Sequence, residues 1–400
     1  MLIGLVGKPS SGKSSFFAAA TLIDVAIASY PFTTIEPNRG IGFVRVECVD
    51  KEFGVQCNPR TGFCKNGIRY VPVELIDVAG LVPGAHEGKG LGNQFLDDLR
   101  QADVLIHIVD VSGSTNEKGE TVAAGSHDPA KDIEFLEEEI NLWFLGVLQK
   151  NWQKMSKMPV AGTNQLLSVF MESLSGLSIK EHQIEKALRD LNLLEKHLRD
   201  WSEEEKKDFA VELRKKSKPI VIAANKIDLP NADKKLEELK KKFEDIDIIP
   251  CSAQSELALK KAARDGYLEY FSGQKEFAVK PEKPMNEKQA MALDYIQKNV
   301  LEKFGSTGVQ EVLETAVFKR LKMIAIFPGG VGKLQDSEGR VLPDCFLMPP
   351  GTTAVDFAFR LHTDMGEGFV KATDVKTKTM IGRDHALKNR DVVEIHFRKK

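Results

Sequence analysis

Eight residues, Gly7-Lys8-Pro9-Ser10-Ser11-Gly12-Lys13-Ser14, constrain this 400-residue chain more than any other stretch. They match the spacing G-x-x-x-x-G-K-[ST], and they sit between an apolar run, Met1 to Val6, and a helix-capable segment. A loop in that context turns its backbone N–H groups inward on an anion, and the following helix adds the positive end of its dipole. Gly7, Lys8, Pro9, Ser10, Ser11, Gly12, Lys13, Ser14 and Ser15 are therefore the expected phosphate cradle. Lys13 would reach β and γ phosphates. The Ser14 hydroxyl would sit on Mg²⁺, a hard cation that takes oxygen ligands.

The remaining chain has to fold around such a loop. Short apolar, β-branched runs recur at Val73 to Ile76, Val104 to Val109, Ile220 to Ala224 and Ile246 to Ile249, with helical patterns between several of them. That rhythm predicts an α/β fold with a mostly parallel sheet. The length exceeds what one core supports, so two or three domains are expected. Basic residues number 56 against 58 acidic, a net charge of -2, so no global field draws nucleic acid and no DNA specificity is expected. The five cysteines are odd in number and mostly scattered, unlike a secreted disulfide framework. With no signal peptide and no apolar run of membrane-spanning length, a soluble cytoplasmic protein without a membrane partner is expected.

Two further segments narrow the nucleotide. Asp77-Val78-Ala79-Gly80 closes a buried strand and offers a carboxylate toward the metal shell, with a glycine N–H for a γ phosphate. Asn225-Lys226-Ile227-Asp228 closes another strand, and its Asp228 carboxylate can accept from guanine N1–H and the 2-amino group, a pair that adenine lacks. Ser252 and Ala253, after the last run, are expected to supply backbone N–H to guanine O6. In this order the P-loop, D-x-x-G, N-K-x-D and S-A segments resemble a translation-factor-type GTPase, which implies GTP and GDP with Mg²⁺.

Between the first two motifs lies Tyr30-Pro31-Phe32-Thr33-Thr34-Ile35-Glu36-Pro37-Asn38, which resembles switch I of Obg-related GTPases, including the YchF group. By that resemblance Thr34, or Thr33 in the other register, joins Ser14 and Asp77 on Mg²⁺, and Lys13, Thr34 and Gly80 are the catalytic candidates. Many YchF proteins carry a degenerate N-M-x-E-like base segment and prefer ATP. Lys226 and Asp228 keep the guanine-selective form here. Ser10 stands where related GTPases often place an Asn that helps hold a monovalent cation. Leu81 stands where Ras-like GTPases place a water-orienting Gln, so slow intrinsic hydrolysis is expected, with His86 in the Gly-rich stretch read as a loop histidine. An ATPase of the same type and a nucleotide-stabilised ribosome-binding module are the competing readings.

From Pro129 to Lys216 the periodicity turns helical: Ile133, Leu136, Ile140, then Ile184, Leu188, Leu191, Leu194, Leu198 and Trp201 at steps of three and four. The pattern predicts a helical hairpin inserted in the sheet domain, either a self-packed arm or a partner-binding one. Near the end, Leu347 to Ala358 followed by His362 resembles the start of a TGS domain, which implies a β-grasp, ubiquitin-like fold and a ribosome or RNA link without chemistry. Asp356 is read as a helix cap. The scattered C-terminal basic residues support weak phosphate contact at most. The expected division is a GTPase domain at 1–128 and 217–280, the insertion at 129–216, connecting helices at 281–321 and the TGS domain at 322–400. Cys57 and Cys64 could be half of a zinc site, but without a second Cys or His pair at metal-ligand spacing the preferred reading is two incidental thiols.

Overall fold

The computed structural model describes residues 1–22, 38–78, 98–158 and 162–398. They form two compact units: Met1–Ala20, Pro37–Gly40 and Glu74–Val312, then Thr21–Glu36, Ile41–Val73 and Leu313–Lys400. The sheet strands are, in chain order, β1 (Leu2–Val6), β2 (Arg39–Glu47), β3 (Phe63–Lys65), β4 (Ile68–Asp77), β5 (Val104–Asp110), β6 (Ile220–Asn225) and β7 (Asp247–Pro250).

In the first unit the order is β4-β1-β5-β6-β7, every pair parallel. β1, β5 and β6 are buried along their whole length. Such strands need both faces covered, which is why they read as unbroken apolar runs rather than alternating ones. Their register sets Asp77 beside Leu5, and Asp110 beside Asn225. The carboxyl ends of four neighbouring strands thus converge where open α/β sheets bind ligands.

Among the described residues the insertion contains four α-helices rather than two: α2 (Pro129–Met155), α3 (Thr163–Ser173), α4 (Glu181–Asp190) and α5 (Glu203–Ser217), following α1 (Lys13–Thr21) after the phosphate loop. Its core is aromatic, with Trp201 against Phe209 at 5.3 Å and Phe170 against Phe209 at 4.9 Å between ring centres. The stripe from Ile184 to Trp201 is not one helix. α4 stops at Asp190 and Asn192 takes a left-handed backbone (φ 55°), so Leu198 and Trp201 reach the core from a separate turn. Spacing of three and four therefore survived a chain reversal that no Gly or Pro announced.

Two short paired strands follow, β8 (Leu268–Glu269) and β9 (Ala278–Val279). In the second unit, β2 lies beside β4 and β3 pairs antiparallel with β4. The same unit holds β10 (Ile324–Pro328), β11 (Phe346–Met348), β12 (Phe369–Asp374), β13 (Thr379–Ile381) and β14 (Val392–Phe397) in the order β11-β10-β14-β12-β13, with β10 and β14 parallel. Helix Ala354–Leu361 buries Phe357 against Ile326, Ala372 and Val393, the arrangement of a β-grasp domain. Thr353 caps this helix and Asp356 closes the capping box by accepting from Thr353 N at 2.9 Å, so the helix opens one turn earlier than Phe357.

Residues 41–73, assigned by sequence to the nucleotide domain, pack with 313–400. Arg69, 1% exposed, donates to Leu342 O (3.0 Å) and Pro343 O (2.9 Å), and Asn58 N and Arg60 N donate to Val341 O and Pro343 O, both at 2.8 Å. Arg390 pairs with Glu47 and Glu52, and Lys376 with Glu52. Those two cations are thus held inside the unit rather than offered to a phosphate backbone.

Candidate nucleotide site

Val6 ends β1 and the chain turns through Gly7 to Gly12 into α1. At Gly12 the backbone has φ +97°, and a Cβ there would overlap the Asn225 amide. Glycine is required on both counts. Asn225, buried at the end of β6, donates from Nδ2 to Ser11 O at 2.9 Å and accepts at Oδ1 from Ala253 N at 3.0 Å. One side-chain amide therefore ties the phosphate loop to the N-K-x-D segment and to the Ser252-Ala253 turn. Ser11 Oγ is buried, with no hydrogen-bond partner among the described residues.

Lys13 opens α1 and its Nζ lies 2.6 Å from Asp77 Oδ1. The lysine and the strand-end carboxylate come from positions 64 apart, and both remain partly exposed. Ser14 is exposed beside them and Ser15 half-buried. Lys8 differs from the rest of the loop. Its Nζ is buried and donates to Thr115 O at 2.7 Å while pairing with Asp132 at 2.9 Å, so Lys8 can offer the cradle its backbone but not its charge. Pro9 and Ser10 are exposed, Ser10 in a left-handed conformation (φ 60°).

Lys226 also has a left-handed backbone (φ 62°), which aims its side chain across the site to Asp110 Oδ2 at 2.9 Å. Asp110 escaped the sequence reading. It is fully buried and accepts from Ser112 Oγ (2.5 Å), Ser114 Oγ (2.9 Å) and Thr115 Oγ1 (2.8 Å). Burial opposes its ionisation, but the hydrogen bonds from Lys226, Ser112 and Thr115 outweigh that and hold its carboxyl below the usual range. A terminal Asp on an apolar strand followed by three hydroxyl residues was the available signal. His107, three residues earlier in β5, is buried and its pKa falls to about 3, because burial, aided by the Lys8 charge, disfavours imidazolium.

Asp228 is half-buried next to Lys226 and its carbonyl accepts from Tyr295 Oη at 2.8 Å. The Ser252-Ala253 turn differs from expectation, since its N–H groups already have protein acceptors: Ser252 N donates to Thr307 O at 2.9 Å and Ala253 N to Asn225. Thr307 is fixed in turn by Glu256, which takes Thr307 Oγ1 at 2.5 Å and Tyr270 Oη at 2.6 Å. Gly308 (φ +82°) lets the chain pass against Pro250 O, where a Cβ would overlap. The segment read as a plain connector thus buttresses the base-side turn. A cavity of about 330 Å³ beside Lys8 is lined by four carboxylates, Glu117, Asp132, Glu134 and Glu138, against Lys8 and Lys131, a lining that does not favour a phosphate anion. Thr33, Thr34, Gly80, Leu81 and His86 lie outside the described residues.

Three family models match successive parts of the chain: "50S ribosome-binding GTPase" at residues 2–138, "Obg-like GTPase YGR210-like, G4 motif-containing domain" at 223–330, and "TGS domain" at 332–397. A GTP-binding protein of Methanocaldococcus jannaschii is 47% identical over 98% of both chains. A ribosome-binding ATPase YchF of Mycoplasma pneumoniae is 28% identical, over 92% of this chain and 88% of its own. The crystal structure of a GTP-binding protein from Pyrococcus horikoshii is 38% identical with TM-score 0.78, covering 99% of this chain and 100% of that one.

Proposed function

We propose that this chain, which belongs to the Obg-related P-loop GTPases of the YchF type, hydrolyses GTP slowly and works as a nucleotide-dependent switch. Membership makes it a GTP-binding, GTP-hydrolysing enzyme with a C-terminal TGS domain. Gly7 to Ser15 cradle the phosphates, Lys13 neutralises the β and γ oxygens, and Asp228 selects the base. The observation that carries this reading is the Asn225 amide, bonded both to Ser11 O and to Ala253 N, because it locks the guanine segment to the phosphate loop in one geometry. With Ser252 N and Ala253 N already bonded, that turn acts by holding Asn225, and discrimination rests on Asp228.

Mg²⁺ fits the donor set, since Ser14 and Asp77 offer a hydroxyl and a carboxylate beside Lys13, the hard oxygen ligands this ion takes. When bound it supplies charge neutralisation at the phosphates. Thr34 would complete the set. The chain's own contribution is positioning: Lys13 sets the leaving phosphates, and buried Asp110 fixes Lys226 against the base side. Leu81 offers no water-orienting group, so turnover should be slow until a partner supplies one.

A ribosomal particle is the proposed partner, in line with the names of the first family model and of the Mycoplasma relative. Its contacts would come from the TGS domain and the helical insertion. The test keeps the full chain, because cutting after Arg320 would remove the carbonyls that accept from buried Arg69. Co-sedimentation with ribosomal particles should be stronger with a non-hydrolysable GTP analogue than with GDP, and turnover at saturating GTP should rise when particles are added. Equal sedimentation in both nucleotides, with unchanged turnover, would reject the switch reading.

A further inference from the structure

Outside the nucleotide site, the second unit gathers three thiols and a carboxylate at one point. Cys48 follows the end of β2 and caps a tight turn over Val49–Phe53, Asp50 lies within that turn, Cys57 follows it, and Cys64 sits on β3. One donor atom from each of Cys48, Asp50, Cys57 and Cys64 lies within 4.8 Å of all the others, and Cys48, Asp50 and Cys57 are buried. Cys48 Sγ and Cys57 Sγ are 3.5 Å apart, and Asp50 Oδ2 is 3.7 Å from Cys64 Sγ. A tetrahedral cation with metal–sulfur bonds of about 2.3 Å spaces its sulfurs about 3.8 Å apart. A disulfide requires about 2.05 Å. The cluster has the first spacing.

From this geometry we propose that Cys48, Cys57, Cys64 and Asp50 form a binding site for a zinc-class cation, closed by four protein ligands and structural in role. Three observations support it besides distance. Three sulfurs and one oxygen are the donors that select zinc over magnesium or calcium. Arg69 is buried in the same unit, and among the described residues it hydrogen-bonds to the backbone carbonyls of Leu342 and Pro343 and has no carboxylate ion-pair partner. A site of three thiolates and one carboxylate around a divalent ion carries excess negative charge, which a buried guanidinium nearby offsets. Finally, the lobe needs a staple. Residues 48–67 contain a short turn and one three-residue strand; Phe63 on that strand stacks on Tyr70 at 4.2 Å, but the Asp50-to-Arg60 stretch has no strand pairing of its own.

Cys345 is not one of the four residues whose donor atoms lie within 4.8 Å of one another. Its place beside the cluster follows from the backbone bonds of Asn58 and Arg60 to Val341 and Pro343. It is assigned to the surroundings rather than to the ligand set.

The test uses the full-length protein, expressed with zinc in the medium and desalted into metal-free buffer. Elemental analysis should find about one zinc per chain. Cobalt exchange should give tetrahedral ligand-field bands and a thiolate charge-transfer band with the intensity of three thiolates. Cys64→Ser, at the least buried ligand, should lose the zinc while keeping GTP binding. Cys251→Ser and Cys345→Ser should keep it. Wild-type protein with negligible zinc and no cobalt bands overturns the site, as does an intact mass showing a Cys48–Cys57 disulfide. Loss of zinc in Cys345→Ser overturns the assigned donor set.

Discussion

The phosphate loop and the cysteine cluster are built by opposite means. In the first, nine consecutive residues, Gly7 to Ser15, carry the geometry, and distant groups such as Asn225 and Asp77 arrive at strand ends whose positions the parallel sheet fixes. In the second, Cys48, Cys57 and Cys64 stand at irregular intervals, and only the folding of a turn and a hairpin brings them within reach of Asp50. A site that must wrap its ligand in backbone N–H groups needs contiguous sequence. A site that uses side chains alone does not.

The largest test of that contrast is Gly12→Ala. The added Cβ meets the Asn225 amide at a backbone angle unfavourable to alanine, so it strikes the loop and the base segment together. Strain plus lost hydrogen bonds, each about 1–3 kcal/mol, should weaken GTP binding by about 10²-fold or more. Calorimetric titration reads it directly, and affinity within a few-fold of wild type would mean the loop is not the cradle.

Asn225→Ala sharpens the same point with a smaller effect. It leaves Ser11 O and Ala253 N unpaired in a buried place, at a cost of about 1–3 kcal/mol in stability. GTP affinity should fall with it, whereas zinc content, set in the other unit, should not move. A drop in both would show that the two sites are coupled.

Next comes the pH dependence from His107, whose folded pKa of about 3 lies below its ordinary value near 6.5. Between these values the unfolded chain binds a proton that the folded one refuses, so stability falls as pH drops through that window. From pH 6.5 to 5 the loss is about 2 kcal/mol at 1.36 kcal/mol per unit. The wild-type denaturant midpoint should fall relative to that of His107→Phe on acidification, and parallel curves would contradict the neutral buried imidazole.

Legibility in the sequence followed the same division. β1, β5, β6 and β7 were readable within a residue or two because parallel buried strands are continuous apolar runs. The strand ends at Val6, Asp77, Asn225 and Pro250 were readable because each precedes a segment with its own turn chemistry. Asp110 was hidden, since a lone strand-end Asp has no motif until Lys226 is seen to reach it. The Ile184 to Trp201 stripe misled because a reversal at Asn192 preserved helical spacing by coincidence. Cys48 was invisible as a ligand, since its partners lie across a turn and a hairpin rather than at C-x-x-C spacing.

The claim that Asp228 selects guanine can be measured by nucleotide competition on wild type and Asp228→Asn. Wild type should prefer GTP over ATP, and the variant should lose GTP affinity by about 10-fold or more while gaining xanthosine triphosphate, because the amide turns an acceptor into a donor facing the base. Equal binding of ATP and GTP by wild type, or unchanged GTP affinity in the variant, would contradict the account.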